Sequence, residues 1–199
     1  MFCDVVDLVG KLAFGLAGWL VGLVTPILGH WATVMLLGPK LSLSIDCDLA
    51  PTEKGERKSL YVRVMITNTK ARTAIACRAY LVGVDEWDRE SQAFVPTVYS
   101  APLPLIWSYY PSTETFDIPP NLSRAVDIVR YVPETQGFDL QLWNNSGVLR
   151  PLAYDPFLQK RGTFRFTVSV SAMDIPSRRL AFKVTWDGDN WPPRVEEDA

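Results

Sequence analysis

Phe164-Arg165-Phe166-Thr167-Val168-Ser169-Val170 alternates apolar and polar side chains without a break. A pleated strand sends successive side chains to opposite faces, so Phe164, Phe166, Val168 and Val170 share one face. That period of two is the signature of a half-buried strand. Leu180-Ala181-Phe182-Lys183-Val184-Thr185-Trp186 repeats the pattern, with Leu180, Phe182, Val184 and Trp186 on one side. Working outward, residues 41–45 alternate in the same way and residues 60–66 do so less strictly. Further strands are expected at 76–84, 103–107, 115–118, 125–132 and 138–143. Turn signals separate them: Thr67-Asn68-Thr69, Pro119-Pro120-Asn121, Asn144-Asn145-Ser146-Gly147 and Asp187-Gly188-Asp189. Many short strands with regular turns predict a sandwich or barrel. Of the fifteen prolines, thirteen follow residue 40 and oppose any long helix there. Residues 144–161 are the least regular stretch, expected as a long loop with a helical turn at 154–159. Residues 191–199 end in Val195-Glu196-Glu197-Asp198-Ala199 and are expected to form an acidic, flexible tail.

Several of these segments resemble a known family. Residues 61–81, from Tyr61-Val-Arg-Val-Met-Ile-Thr-Asn-Thr through Ala79-Tyr80-Leu81, are similar to the second and third strands of immunoglobulin-like sandwich modules of the CARDB and fibronectin type III kind. Phe116-Asp-Ile-Pro-Pro-Asn-Leu-Ser-Arg-Ala-Val-Asp-Ile128 resembles their central hairpin. Residues 162–172 with 180–186 resemble their closing hairpin. The likeness covers about 140 residues and is shared with uncharacterised prokaryotic proteins that carry an apolar amino-terminal segment. It implies an all-β fold: an immunoglobulin-like antiparallel β-sandwich over 41–190. The antibody-type Cys…Trp…Cys core is absent, and the resemblance implies fold rather than activity.

The first forty residues follow a different pattern. No charged residue lies between Lys11 and Lys40. A helix over these about 28 residues would reach about 42 Å, whereas roughly 20 residues cross a bilayer core. Residues 1–40 are therefore expected to be a membrane-inserting helical segment, single-pass and kinked at Pro26. Asp4 and Asp7 stand where a cleaved signal peptide would be basic. A helix buried against an apolar partner is the alternative. Gly18 and Gly22 form a G-x-x-x-G pair through which two copies could pack as a homo-oligomer. His30, the single histidine, lies inside the segment, where a neutral imidazole bonded to a carbonyl freed at the kink is expected. Lys40, Lys54, Arg57 and Lys58 follow closely, which places the β domain on the cytoplasmic side. The glycosylation tripeptides at Asn121 and Asn144 point the other way.

The chemistry of the chain is sparse. The net charge is −2, so no cationic surplus exists for a nucleic-acid backbone. Phosphate-cradling glycine loops and zinc-spaced Cys and His pairs are missing. With one histidine, outside the β region, no Ser-His-Asp or Cys-His arrangement can form there. No enzyme activity, metal or cofactor is expected. Cys3, Cys47 and Cys77 make an odd, widely spaced set rather than a disulfide framework, although Cys47 and Cys77 could pair across a sheet. Asp85, Glu86, Asp88 and Glu90, expected after a strand, and Asp187-Gly188-Asp189-Asn190 could hold calcium or form solvated turns. Ile106-Trp107-Ser108-Tyr109-Tyr110-Pro111 is the most aromatic loop. Trp107, Tyr109 and Tyr110 are the candidate partner-binding residues; the alternative is that Trp107 ends a core strand and the tyrosines cover an edge. The function expected is a membrane-anchored, non-catalytic protein-interaction module. The alternative is a surface carbohydrate- or calcium-binding module.

Overall fold

The computed structural model describes residues 25, 38–51, 58–97, 102–108, 115–132, 137–140, 161–173, 175–188 and 192–198. The chain divides into two units, Met1–Gly38 and Pro39–Ala199. The expected membrane segment with its Pro26 kink, Gly18, Gly22 and His30 lies outside the described residues. So do Cys3, Tyr109, Tyr110 and the irregular stretch 144–160. Among the described residues, no helix is long and apolar enough to cross a membrane.

In the second unit the described strands are β1 (Leu41–Pro51), β2 (Lys58–Asn68), β3 (Ala74–Asp88), β4 (Ala93–Pro96), β5 (Leu103–Pro104) and β6 (Ile106–Trp107). They continue as β7 (Phe116–Ile118), β8 (Ser123–Val132), β9 (Gly137–Leu140), β10 (Gly162–Ala172), β11 (Ile175–Trp186) and β12 (Arg194–Glu197). They form two antiparallel sheets in a sandwich-like arrangement. One has the order β1-β2-β8-β6, with β9 also on β8. The other has the order β12-β11-β10-β3-β4, with β5 and β7 also on β3.

One core joins the two sheets. Phe164, Phe166, Val168 and Val170 are buried on β10, as the alternation predicts, and they meet Phe182, Val184 and Trp186 from β11. Val62, Val64 and Ile66 of β2 supply the facing side. Phe166 and Phe182 stack 5.4 Å apart, and Tyr131 of β8 lies 4.8 Å from Trp186 of the other sheet. Burying each of these side chains contributes about 1.5–3 kcal/mol.

Bulges explain why β3 and β8 look irregular in sequence. Thr167 faces Gly83 while Val168 faces Leu81, so Val82 is the extra residue. Leu81 and Val84, three apart, are both buried as a result. On β8, Val62 faces Val129 while Arg63 faces Asp127, so Ile128 is extra, and Val126, Ile128 and Val129 are all buried.

Two sequence expectations change. The segment 103–107 is not one strand: Leu103 and Pro104 pair with β3, whereas Ile106 and Trp107 pair with β8, so the chain switches sheets at Leu105. The acidic terminus is not a free tail over its described part. Arg194–Glu197 pairs with β11, Val195 packs on the core, and the Asp198 N–H donates to the Ala181 carbonyl at 3.0 Å. Glu196 faces Lys183 in this ladder, so the acidic residues meet cations rather than repel one another.

Asn68, fully buried, ties one end of the domain together. Its side-chain amide donates to the carbonyls of Arg72 at 2.6 Å and Ile118 at 3.0 Å, and its side-chain oxygen accepts the Lys70 N–H. The turns after β2 and before β8 are thereby held against each other.

Candidate interaction surface

The aromatic loop expected to meet a partner divides at Ser108. Trp107 is 1% exposed, and its ring lies 5.9 Å from Phe116 of β7. It closes the edge where the chain crosses between sheets and has no face to offer. The Ser108 N–H donates to the Ala125 carbonyl at 2.9 Å, and its hydroxyl donates to Asp127 Oδ1 at 2.7 Å. Tyr109 and Tyr110 follow directly but are not among the described residues.

A pair of aromatic side chains lies partly exposed on the β3–β4 hairpin. Trp87 and Phe94 are cross-strand partners, half-buried, with ring centroids 5.1 Å apart and planes at 70°, an edge-to-face contact. The four-residue turn between the strands sets that pairing. The Asp88 carboxylate accepts the Glu90 and Ser91 N–H groups at 3.1 Å and the Ser91 hydroxyl at 2.7 Å. Gln92 takes the left-handed conformation (φ 53°) that returns the chain. The Ser91 hydroxyl, followed by the Glu90 and Ser91 N–H groups, holds the Asp88 carboxyl below its ordinary range.

Phe94 borders a charged row that crosses the whole sheet. Glu196, Lys183, Arg165, Asp85 and Pro96 occupy one line across β12, β11, β10, β3 and β4. Phe164, Phe166, Phe182 and Val184 point inward, so Arg165 and Lys183 point out. Arg165 donates from Nε and Nη2 to Asp85 Oδ2 at 2.9 and 2.6 Å. Its Nη1 lies 3.6 Å from Asp198 Oδ2, and Lys183 Nζ lies 2.5 Å from Asp198 Oδ1. The Arg165 guanidinium sits 4.6 Å from the Phe94 ring centre and the Lys183 ammonium 5.6 Å from it, within cation–π reach. The hydrogen bond from Lys183 is the largest effect on the Asp198 carboxyl; burial opposes it, the charges of Lys183 and Arg165 add to it, and the carboxyl is held below its ordinary range.

The outer face of the other sheet repeats these elements in a closed form. Arg63 of β2 donates from Nε to Asp127 Oδ1 and from Nη1 to Asp48 Oδ2, both at 2.7 Å. Its guanidinium lies 5.2 Å from the Tyr61 ring centre. The Arg63 side chain is 10% exposed, against 33% for Arg165.

Two of the carboxylates considered for calcium, Asp85 and Asp88, are engaged elsewhere. β3 continues through Asp88, so Asp85, Glu86 and Asp88 lie on a strand rather than after one. Asp85 is held by Arg165 and Asp88 by its own turn. Among the described residues no three His, Cys, Asp or Glu side chains gather to hold a metal. Asp189 and Asn190 are outside the described residues. Cys47 and Cys77 are free thiols on opposite sheets, Cys47 exposed and Cys77 buried. Burial, then the Asp117 carboxylate, pushes the Cys77 thiol up to about 11, so it stays protonated and inert. Partial desolvation and then Asp46 raise Cys47 as well, although the residue as a whole is exposed.

Sequence reasoning misses Trp87, Phe94, Arg165 and Lys183 as one surface because they come from four different strands. A local signal exists in Trp87, which stands in an otherwise acidic run, Asp85-Glu86-Trp87-Asp88. No protein-family model matches the chain, and no curated protein matches it.

Proposed function

We propose that this chain is a membrane-anchored, non-catalytic module that binds a protein partner through the outer face of its seven-stranded sheet. The observation that carries the reading is the Trp87–Phe94 pair with Arg165 and Lys183 against Phe94. Tryptophan and arginine are enriched among residues that dominate interface energies. Here Asp85 on the neighbouring strand and Asp198 just beyond β12 hold Arg165 in place, so little side-chain entropy remains to be lost on binding.

The immunoglobulin-like resemblance gains support from strand order. β1-β2-β8-β6 follows the A-B-E-D order of such modules, and β11-β10-β3 follows G-F-C, with β12 added beyond. The anchoring rests on the uncharged run 12–37 and on Lys40, Lys54, Arg57 and Lys58 behind it, which favour the cytoplasmic side for the domain. The non-catalytic part rests on the histidine-free sequence after residue 40.

The full chain in mild detergent tests the reading, as wild type and as the Trp87→Ala/Phe94→Ala double variant. A protein captured by the wild type should bind the variant about 30-fold or more weakly, the loss expected from two central anchors. Thermal unfolding of the two forms should remain similar. A partner that binds both equally removes this face from the proposal. Glycan binding lost in the same variant would replace the protein partner with a carbohydrate.

A further inference from the structure

The two ends of the β domain differ in a way that the function above does not use. The domain chain starts at one of them. The Lys40 carbonyl accepts both the Thr69 N–H at 2.9 Å and the Thr69 hydroxyl at 3.1 Å. Asn68 binds the 69–73 turn through the Arg72 carbonyl, and its N–H donates to the Leu122 carbonyl at 3.0 Å. The Met173 N–H donates to the Ile75 carbonyl at 2.9 Å. Residues 39–40, 69–75, 119–122 and 173 therefore form one end of the sandwich.

Apolar side chains stand out from this end. Ile75 is 49% exposed, Leu122 50% and Met173 58%; of the large apolar residues exposed in the described structure, only Leu49 and Val95 lie elsewhere. Cations surround them. Lys40, Lys70 and Arg72 are exposed in the turns. Arg78, Arg178 and Arg179 are exposed on the adjoining ends of β3 and β11, opposite residues 169–171 of β10. Asp117 is the one carboxylate described at this end, and its Oδ1 accepts the Ala76 N–H at 2.8 Å. The opposite end carries Glu86, Asp88, Glu90 and Asp187 on and beside the far ends of β3 and β11, with Arg89 and Arg161 among them.

We propose that the end built from residues 39–40, 69–75, 119–122 and 173 seats on an anionic lipid surface. Ile75, Leu122 and Met173 enter the headgroup boundary, and the lysines and arginines around them meet anionic headgroups. Exposed apolar side chains ringed by cations are the combination that binds such surfaces. The location agrees, because Lys40 follows the uncharged run 12–37 almost directly. The inference rests on the proposal above that this run lies in a bilayer.

Hydroxyl-radical footprinting of the full chain in lipid nanodiscs tests it, with Met173 as the probe and Met65, on the outer face of β2, as the internal reference. Oxidation of Met173 should fall severalfold in discs containing phosphatidylserine relative to discs of phosphatidylcholine alone, with Met65 unchanged. The triple variant Lys70→Glu/Arg72→Glu/Arg179→Glu should lose that protection while still entering the discs. Equal oxidation of Met173 in both disc types and in detergent overturns the seating and leaves the anchor standing. Equal protection in neutral and anionic discs overturns the anionic assignment. A chain recovered outside the discs overturns the anchor and the seating with it.

Discussion

Arg63 and Arg165 are the same chemical device on opposite faces of the sandwich. Each lies on an inner strand of its sheet, is held by two aspartates distant in sequence and rests near an aromatic ring. Their surroundings separate them. Arg63 is nearly enclosed, with Asp127 also bound by the Ser108 hydroxyl where the chain has just crossed from the other sheet. Arg165 is one-third exposed, and its partners include Asp198 on the edge beyond β12. Enclosure turns an ion pair into a structural dependency, since removing one member leaves a buried charge without its counter-ion. Exposure lets water replace the lost partner, so the pair adds little stability and its geometry is available to a ligand.

Substitutions can break that contrast. Arg63→Ala is expected to cost about 3 kcal/mol, read as a lowered urea midpoint of the full chain in mild detergent. Arg165→Ala is expected to cost less than about 1 kcal/mol in the same measurement while weakening the partner captured through Trp87 and Phe94. Equal losses for the two variants would mean that the faces do not differ in kind. The smallest effect concerns acid. Asp198 has its folded pKa depressed, so its contribution is present above the unfolded pKa and disappears as pH falls through the folded value. Wild type should therefore be slightly more stable than Asp198→Asn at neutral pH and should match it in strong acid. A gap that persists in strong acid would assign the effect of Asp198 to something other than its charge.

The buried tryptophan changes how one experiment is understood. Trp107→Ala would open a core cavity and cost about 3–5 kcal/mol, so loss of binding in that variant would report unfolding. Trp87 is the residue at which a binding loss can be separated from a folding loss, because its ring is only half-buried and lies on a hairpin.

The all-β class was legible where alternation is unbroken. From Gly162 to Val170 on β10 and from Arg178 to Trp186 on β11 a period of two maps directly onto the inward faces, because the register shift between these strands falls beyond Val170. It was less legible on β3 and β8, where Val82 and Ile128 each add a residue and reset the pattern. β4 and β12 are four residues each, too short for periodicity to register. β12 is also acidic, which in isolation describes a solvated terminus. Of the candidate surface, Trp87 carried a local signal; Arg165, Lys183 and Phe94 carried none, since alternation says which side of a strand a residue faces and nothing about its neighbours.

The sequence alone therefore determined the strand-rich class, the principal inward faces and the division between an uncharged run and a charged domain, because local periodicity and hydropathy encode them. Tertiary structure alone decided that Trp107 closes the core, that the acidic terminus joins a sheet and that one arginine is enclosed while its counterpart is open. Those outcomes depend on register between strands far apart in the chain, and strand register is a property of pairs that no single segment contains.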